Sequence, residues 1–301
     1  HDGDHDGVIA MGGGSALDAG KAVALMAGQH MSLWDFEDIG DNWKCFAVKV
    51  AIPVIAVPTT AGTGSEVGRA SVILDEATMT KKVIFHPSMM PAIVIADPQL
   101  TLGLPKDITA ATGMDAAAHC IEALCAPTFH PIADGIALEG LRLVQNWLPA
   151  AYRDGANLAA RAHMMVAASM GATAFQKGLG AVHAISHPVS AHHGVHHGLA
   201  NAILLPYVLK YNRPAIADKM VRLGRVLGLD DASFDGVQAW LLDLRRTLDI
   251  PHCFGEIGVT GGDADRVAQC ALIDPTAATN PARLDEAVLK QIFLDCVEGN
   301  L

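Results

Sequence analysis

Apolar positions change rhythm once along this chain. Through the first hundred or so residues they come in short, β-branched runs: Val8 to Met11, Val48 to Val57, Ala70 to Leu74, Val83 to Phe85 and Ile93 to Ala96, bounded by Gly, Pro or Asp. One helical pattern, Ala16 to Met26, lies among them. From Pro105 onward the β-branched runs vanish. Ala/Leu-rich segments with helical period replace them at Ile108 to Leu124, Pro131 to Tyr152, Leu158 to Phe175, Pro214 to Leu227, Phe234 to Leu248 and Leu284 to Val297. Strands first and helices afterwards predict an α/β N-terminal domain followed by an all-α C-terminal domain, not an alternating barrel. The change falls at Thr101 to Pro105, which divides the chain into 1–103 and 104–301. The chain has no initiator Met and reaches a Gly-rich turn by residue 12, so the first domain is expected to be N-terminally incomplete.

Composition narrows the partners. With 51% apolar and 18% charged residues, 301 residues supply a substantial core and exclude disorder. Lys and Arg number 21 against 32 Asp and Glu, a net charge of −11, and no basic run exceeds the pairs Lys81-Lys82 and Arg245-Arg246, so no nucleic-acid partner is expected. The most apolar stretches are broken by Lys49, Pro53 and Pro58, too soon to span a bilayer. The acidic opening His1-Asp2-Gly3-Asp4 does not read as a signal peptide. Six cysteines without a CxxC read as reduced thiols, and a cytoplasmic protein follows.

Two loops suit a nucleotide. Gly12-Gly13-Gly14-Ser15 follows a strand and opens a helix carrying Asp18 and Lys21, so bare N–H groups and the positive end of a helix dipole face outward, as a diphosphate requires. The spacing is not GxGxxG, because Leu17 stands where the third glycine would be. Pro58 to Glu66 ends another strand with four hydroxyls, Thr59, Thr60, Thr63 and Ser65, and two glycines. Strand C-terminal ends are where open α/β sheets bind ligands.

Histidines concentrate further on. Six of fourteen fall between residues 183 and 197, and Asp115 and His119 stand four apart in a helical segment, on one face. His183 and His187 repeat that spacing. A carboxylate on an apolar helix is costly unless it is paired or ligates a metal. Three imidazoles and a carboxylate without a thiolate suit Fe(II), Zn(II), Mn(II), Co(II) or Ni(II). Spacing alone leaves open which of His183 and His187 is the ligand. Cys120 and Cys125 fall off the Asp115 face and read as core.

These segments together resemble the iron-containing (group III) alcohol dehydrogenases, which share a fold with dehydroquinate synthase and glycerol dehydrogenase. Gly12 to Asp18 with Lys21 is similar to that family's GGGSxxDxxK loop, and Pro58 to Glu66 to its PTTxGTGSE loop. Leu104 through His119 and Glu122 resembles its LPxxxxAATGxDAxxHxxE helix, and His183 to Pro188 with His197-Gly198 and Asn201-Ala202 its VHxxxHP…HGxxNAxxLP signature. The resemblance implies a dehydroquinate synthase-like fold, a divalent ion, Fe2+ or Zn2+, on Asp115, His119, His183 and His197, and a further active-site histidine at His187. It implies that Gly13, Gly14 and Ser15, with Asp18, hold the pyrophosphate of NAD or NADP, with Thr59, Thr60, Thr63 and Ser65 lining the nucleoside path and Lys82 beside the ribose.

The implied reaction is reversible oxidation of a small primary alcohol or hydroxy acid to its aldehyde by a homodimer or higher homo-oligomer, with His187 relaying the proton. Two departures bear on specificity. Members usually carry some eighty or more residues before the GGGS loop, including the strand end that selects NAD or NADP, and Ser190 to His196 replaces aromatic and Pro residues that many members have. Three alternatives follow: a dehydroquinate-synthase-like enzyme, disfavoured because no Lys or Arg lies between Lys177 and Lys210; a maleylacetate-reductase-like enzyme, which would lack the full ligand set; and a non-catalytic metal-binding protein, which would not need the two loops.

Overall fold

The protein, described as a computed structural model over residues 3, 5–45 and 51–301, opens with β1 (Val8–Gly12), α1 (Gly14–Met26) and β2 (Val54–Pro58). The chain continues through the hairpin β3 (Ala70–Asp75) and β4 (Thr80–Phe85) to β5 (Ile93–Val94). Strands β1, β2 and β5 form a parallel sheet in that order, while β3 and β4 pair antiparallel beside it. In the predicted run Val48 to Val57, residues 48–50 lie outside the described residues, and the strand observed begins at Val54. Register places Gly12 opposite Pro58, so the two glycine-bearing loops leave the same edge of the sheet. Gly12 turns there with φ +144°, a conformation that an L side chain adopts only with strain.

Helices follow: α2 (Lys106–Cys125), α3 (Pro131–Arg153), α4 (Leu158–Ala174), α5 (Ala181–His193), α6 (His197–Val226), α7 (Phe234–Thr247), α8 (Ala264–Ile273) and α9 (Glu286–Glu298). The α/β start and the helical remainder match the expected fold class. Among the described residues no helix is long and apolar enough to cross a membrane.

Helix α2 is the axis of the helical part. Ala110, Ala111, Gly113, Ala116, Ala117, Ala118 and Ala123 are small enough for α3, α4 and α6 to close around it, and nearly every residue from Thr109 to Cys125 is buried. Cys120 and Cys125 lie in this core, where burial pushes both thiols up to about 12. The helix end is held by cations: Lys219 Nζ donates to the Cys125 and Ala126 carbonyls at 2.8 and 2.7 Å, and Lys177 Nζ to Leu124 at 3.2 Å. These satisfy carbonyls that a helix terminus leaves bare.

Two expectations change. The helix read as starting at Pro214 starts seventeen residues earlier, at His197, and runs through Pro206 and Pro214. A proline inside a helix costs about 3 kcal/mol. Burial of the stretch Gly198 to Leu209 on α2 and α5 offsets that cost, and Gln238 Nε2 donates to the Pro206 carbonyl at 3.0 Å. Helix α8, only ten residues long, was not anticipated from the pattern.

Candidate metal centre and coenzyme cleft

The histidine and aspartate side chains converge because α5 and α6 fold back on α2. Gly194 ends α5 in the left-handed region (φ +66°), and the chain reverses within three residues into α6. Helix α6 then meets α2 at Gly198, where a Cβ would fall 2.4 Å from the Ala111 carbonyl oxygen and 3.2 Å from Asp115 Cβ. That contact carries His197, one residue earlier, to the Asp115 carboxylate.

Asp115 Oδ1 lies 3.9 Å from His119 Nε2, 3.9 Å from His183 Nε2 and 3.8 Å from His197 Nε2. These separations are too long for hydrogen bonds and near those of donor atoms sharing one ion at about 2.0–2.3 Å. Asp115, His119 and His183 are almost wholly buried, whereas the His197 side chain retains about a quarter of its exposure, 26%, so the cluster opens on that side. One donor stands among the acceptors: Asn201 Nδ2 lies 2.7 Å from Asp115 Oδ1, 3.1 Å from His183 Nε2 and 3.2 Å from His197 Nε2, while its own Oδ1 is buried without a hydrogen bond. A single amide cannot satisfy three acceptors at once, and an orphaned buried carbonyl is expensive. The donor set fits a divalent cation of intermediate softness.

Electrostatics keep these imidazoles available. Burial lowers His119 to about 4 despite Asp115, and burial together with Lys81 holds His197 well below its ordinary value. Burial also acts to lower His183, but the Glu122 carboxylate outweighs it and the net shift is upward. Glu122 Oε2 accepts from His183 Nδ1 at 2.5 Å, and its Oε1 accepts the Val182 N–H at 2.9 Å. The ring is thereby turned with Nε2 toward Asp115.

His187 stands beside this cluster, its ring stacked 5.3 Å from that of His197. Its Nδ1 is 2.7 Å from Asp274 Oδ2, and Asp274 is itself fixed by the Thr276 N–H at 2.9 Å and hydroxyl at 2.6 Å. Burial pushes the Asp274 carboxyl up, but His187 and Thr276 outweigh it and hold it below the usual value. A carboxylate partner keeps the proton on Nδ1 and leaves Nε2 an acceptor.

The predicted coenzyme residues divide into three groups. Gly13, Gly14, Ser15, Thr59, Thr60 and Thr63 lie together at the surface where both loops leave the sheet. Thr59 N donates to the Gly12 carbonyl at 2.9 Å, and α1 begins without a side-chain cap. A Cβ on Gly14 would fall 2.4 Å from Thr63 Oγ1, so this glycine first admits the neighbouring loop.

Asp18 and Ser65 are buried behind that crest and bonded to each other at 2.5 Å. Asp18 also accepts the Val72 N–H at 2.9 Å and pairs with Lys21 at 3.2 Å. Lys21, 1% exposed, donates to the carbonyls of Ser65, Gly68 and Ala70. These three form an internal clamp joining the loops, not a surface that a ligand reaches.

Lys82 is turned away altogether. Its ammonium pairs with Asp75 at 3.0 Å and Glu37 at 3.8 Å over the Trp34 ring. Alternation along β4 puts its neighbour Lys81 on the cleft face with Val83 and Phe85. Burial lowers the Lys81 ammonium against the pull of Asp115, Asp274 and Asp18.

The cleft joins the two regions. A Cβ on Gly62 would lie 2.7 Å from Thr112, one turn before Asp115, and β4 packs on α5. Sequence reasoning did not assign roles to Asn201, Glu122, Lys81 or Asp274. The first two stood inside recognised motifs, and Lys81 was legible as the alternate of Lys82. Asp274 is 87 residues from His187, and no local pattern links them.

Comparisons with known proteins agree over the chain's length. The description "iron-containing alcohol dehydrogenase" matches residues 1–98, and the C-terminal part of the Fe-containing alcohol dehydrogenase family matches residues 109–297. The sequence is 44% identical over 299 residues to 4-hydroxybutyrate dehydrogenase of Cupriavidus necator, covering 96% of this chain and 77% of that one. A crystal structure of 1,3-propanediol oxidoreductase superposes with a TM-score of 0.90 at 34% identity, over 96% of this chain and 76% of that one. Sulfoacetaldehyde reductase from Bifidobacterium kashiwanohense, solved in complex with NAD+, gives 0.87 at 30% identity, over 97% and 76%.

Proposed function

The chain belongs to the iron-containing alcohol dehydrogenase family, an alcohol–aldehyde oxidoreductase family, and on that premise we propose that it interconverts a small primary alcohol or hydroxy acid and its aldehyde with NAD or NADP, using a divalent ion, Fe2+ foremost, on Asp115, His119, His183 and His197. The observation that carries this reading is the spacing of 3.8–3.9 Å from Asp115 Oδ1 to three Nε2 atoms beside the two loops. A divalent ion there supplies Lewis acidity toward the substrate oxygen, and the nicotinamide supplies the hydride acceptor.

The chain's own groups do the rest. Low imidazole basicity at His119 and His197 keeps their lone pairs free at neutral pH. Glu122 and Asn201 orient the donors. His187 Nε2 takes the hydroxyl proton, because Asp274 occupies Nδ1, and passes it outward. Surface amides of Gly13, Gly14 and Ser15, with the hydroxyls of Thr59, Thr60 and Thr63, receive the pyrophosphate and nucleoside. Asp18 and Ser65 support them from behind. We take residues 1–103 and 104–301 as the two domains.

Free Cys120, Cys125, Cys253, Cys270 and Cys296 favour a reducing compartment, the cytoplasm. Phe129 and Ile132, exposed at the start of α3, favour a homo-oligomer. The test is a panel of C2 to C4 alcohols, hydroxy acids and aldehydes with NAD and with NADP, before and after chelation. Turnover that survives complete metal removal overturns the reading.

A further inference from the structure

Among the described residues, the Arg69 guanidinium beside the β3–β4 hairpin has no carboxylate partner. Arg69 leads from Gly68 into β3, and its side chain lies across the hairpin with Cζ 5.4 Å from the centre of the Phe85 ring. Nη2 donates to Gln176 Oε1 at 3.2 Å. Both neighbours locate it. Phe85 shares the cleft face of β4 with Lys81, whose charge reaches Asp115, and Gln176 follows Phe175, whose ring packs 4.9 Å from His119. These contacts tie Arg69 to the hairpin that carries Lys81 and to the segment that carries Phe175, both of which border the Asp115 cluster.

Among the described residues its recorded partners are a neutral amide and an aromatic face, not a carboxylate. A guanidinium has five donors, and stacking on a ring holds its plane while leaving an edge free. A planar fork with unused N–H groups matches a carboxylate bidentately.

We propose that Arg69 binds the carboxylate of the substrate, making the preferred substrate a short ω-hydroxy acid or the corresponding semialdehyde, with its hydroxyl or aldehyde end at the Asp115 cluster. The proposal rests on the alcohol dehydrogenase reading for the reacting end and on Arg69 alone for the charged end. The hairpin supplies this cation from the other half of the chain, outside the stretch between Lys177 and Lys210 that carries no Lys or Arg.

The test compares wild type, Arg69→Gln and Arg69→Lys, each reconstituted with metal, on 4-hydroxybutyrate and 1-butanol with NAD and NADP. The ratio of kcat/KM for the acid to that for the alcohol is expected to fall about 10- to 100-fold in Arg69→Gln, mainly through KM, and to recover partly in Arg69→Lys. Calorimetric titration with butyrate, which has no hydroxyl to oxidise, should show Kd rising at least about tenfold in Arg69→Gln. An unchanged ratio overturns the proposal. So does a change confined to the coenzyme KM, which would assign the guanidinium to a coenzyme phosphate. Arg69-dependent butyrate binding in a protein that oxidises neither alcohol leaves the carboxylate site standing and removes the dehydrogenase reading.

Discussion

The proposed metal cluster and the proposed coenzyme crest are both built from polar residues in recognisable motifs, yet they treat those residues differently. In the cluster, Asp115, His119, His183 and His197 are packed by α2, α5 and α6, and the facing atoms Asp115 Oδ1, His183 Nε2 and His197 Nε2 share a single donor, the Asn201 amide. In the crest, motif residues that look equivalent in sequence face opposite ways. Gly13, Gly14, Ser15 and the threonines lie outward, while Asp18, Lys21 and Ser65 spend their hydrogen bonds on one another and on backbone carbonyls. A polar residue with partners left over awaits a ligand, and one whose partners are complete is part of the frame.

The largest expected effect breaks the cluster. Asp115→Ala removes the one oxygen shared by three imidazoles, so bound metal should fall to background by elemental analysis and turnover by about 10³-fold or more. Retained stoichiometric metal would show that the carboxylate is framework after all. Next, His187→Ala should lower kcat about 10² to 10⁴-fold with near-normal metal content, because its Nε2 is a proton acceptor outside the donor set. Metal loss in that variant would place His187 among the ligands. Glu122→Gln, which weakens the bond turning His183, is expected to raise the metal Kd about 10- to 100-fold, read by competition with a chelator.

The crest gives smaller effects that sharpen the contrast. Lys21→Met leaves Asp18 buried without its cation, a loss of about 3–5 kcal/mol. The Tm should drop, while the residual folded protein keeps its metal affinity. The two adjacent lysines should separate most finely. Lys81→Ala is expected to weaken NAD(P)H binding about tenfold by fluorescence titration. Lys82→Ala, which loses only the pair with Asp75 and Glu37, should change it little. Equal effects would mean that strand alternation does not decide which lysine the coenzyme meets.

How much of this was legible follows from where each signal lives. The i,i+4 pairs Asp115/His119 and His183/His187 are local, and helices keep such pairs on one face, so the candidate cluster was visible before any fold was known. The division between α/β and helical halves was visible for the same reason, since each period is local. What escaped depended on tertiary choice. Lys81 and Lys82 are adjacent, and only the packing of Ile84 into the core with Leu25 and Phe36 fixes which of them faces the cleft. Pro214 looked like a helix start because local propensity cannot weigh the burial that carries α6 through it. Asp274 reaches His187 through the packing of α8 on α5, a contact with no trace in either segment alone.

The proposed function depends on one divalent ion between Asp115, His119, His183 and His197. Anomalous diffraction from crystals of metal-reconstituted protein tests it directly. A single strong peak is expected within about 2.0–2.3 Å of an Asp115 carboxylate oxygen and of the three Nε2 atoms, with the Asn201 amide displaced from their midst. A peak bound by His187 in place of His183, or seated away from α2 altogether, would contradict it.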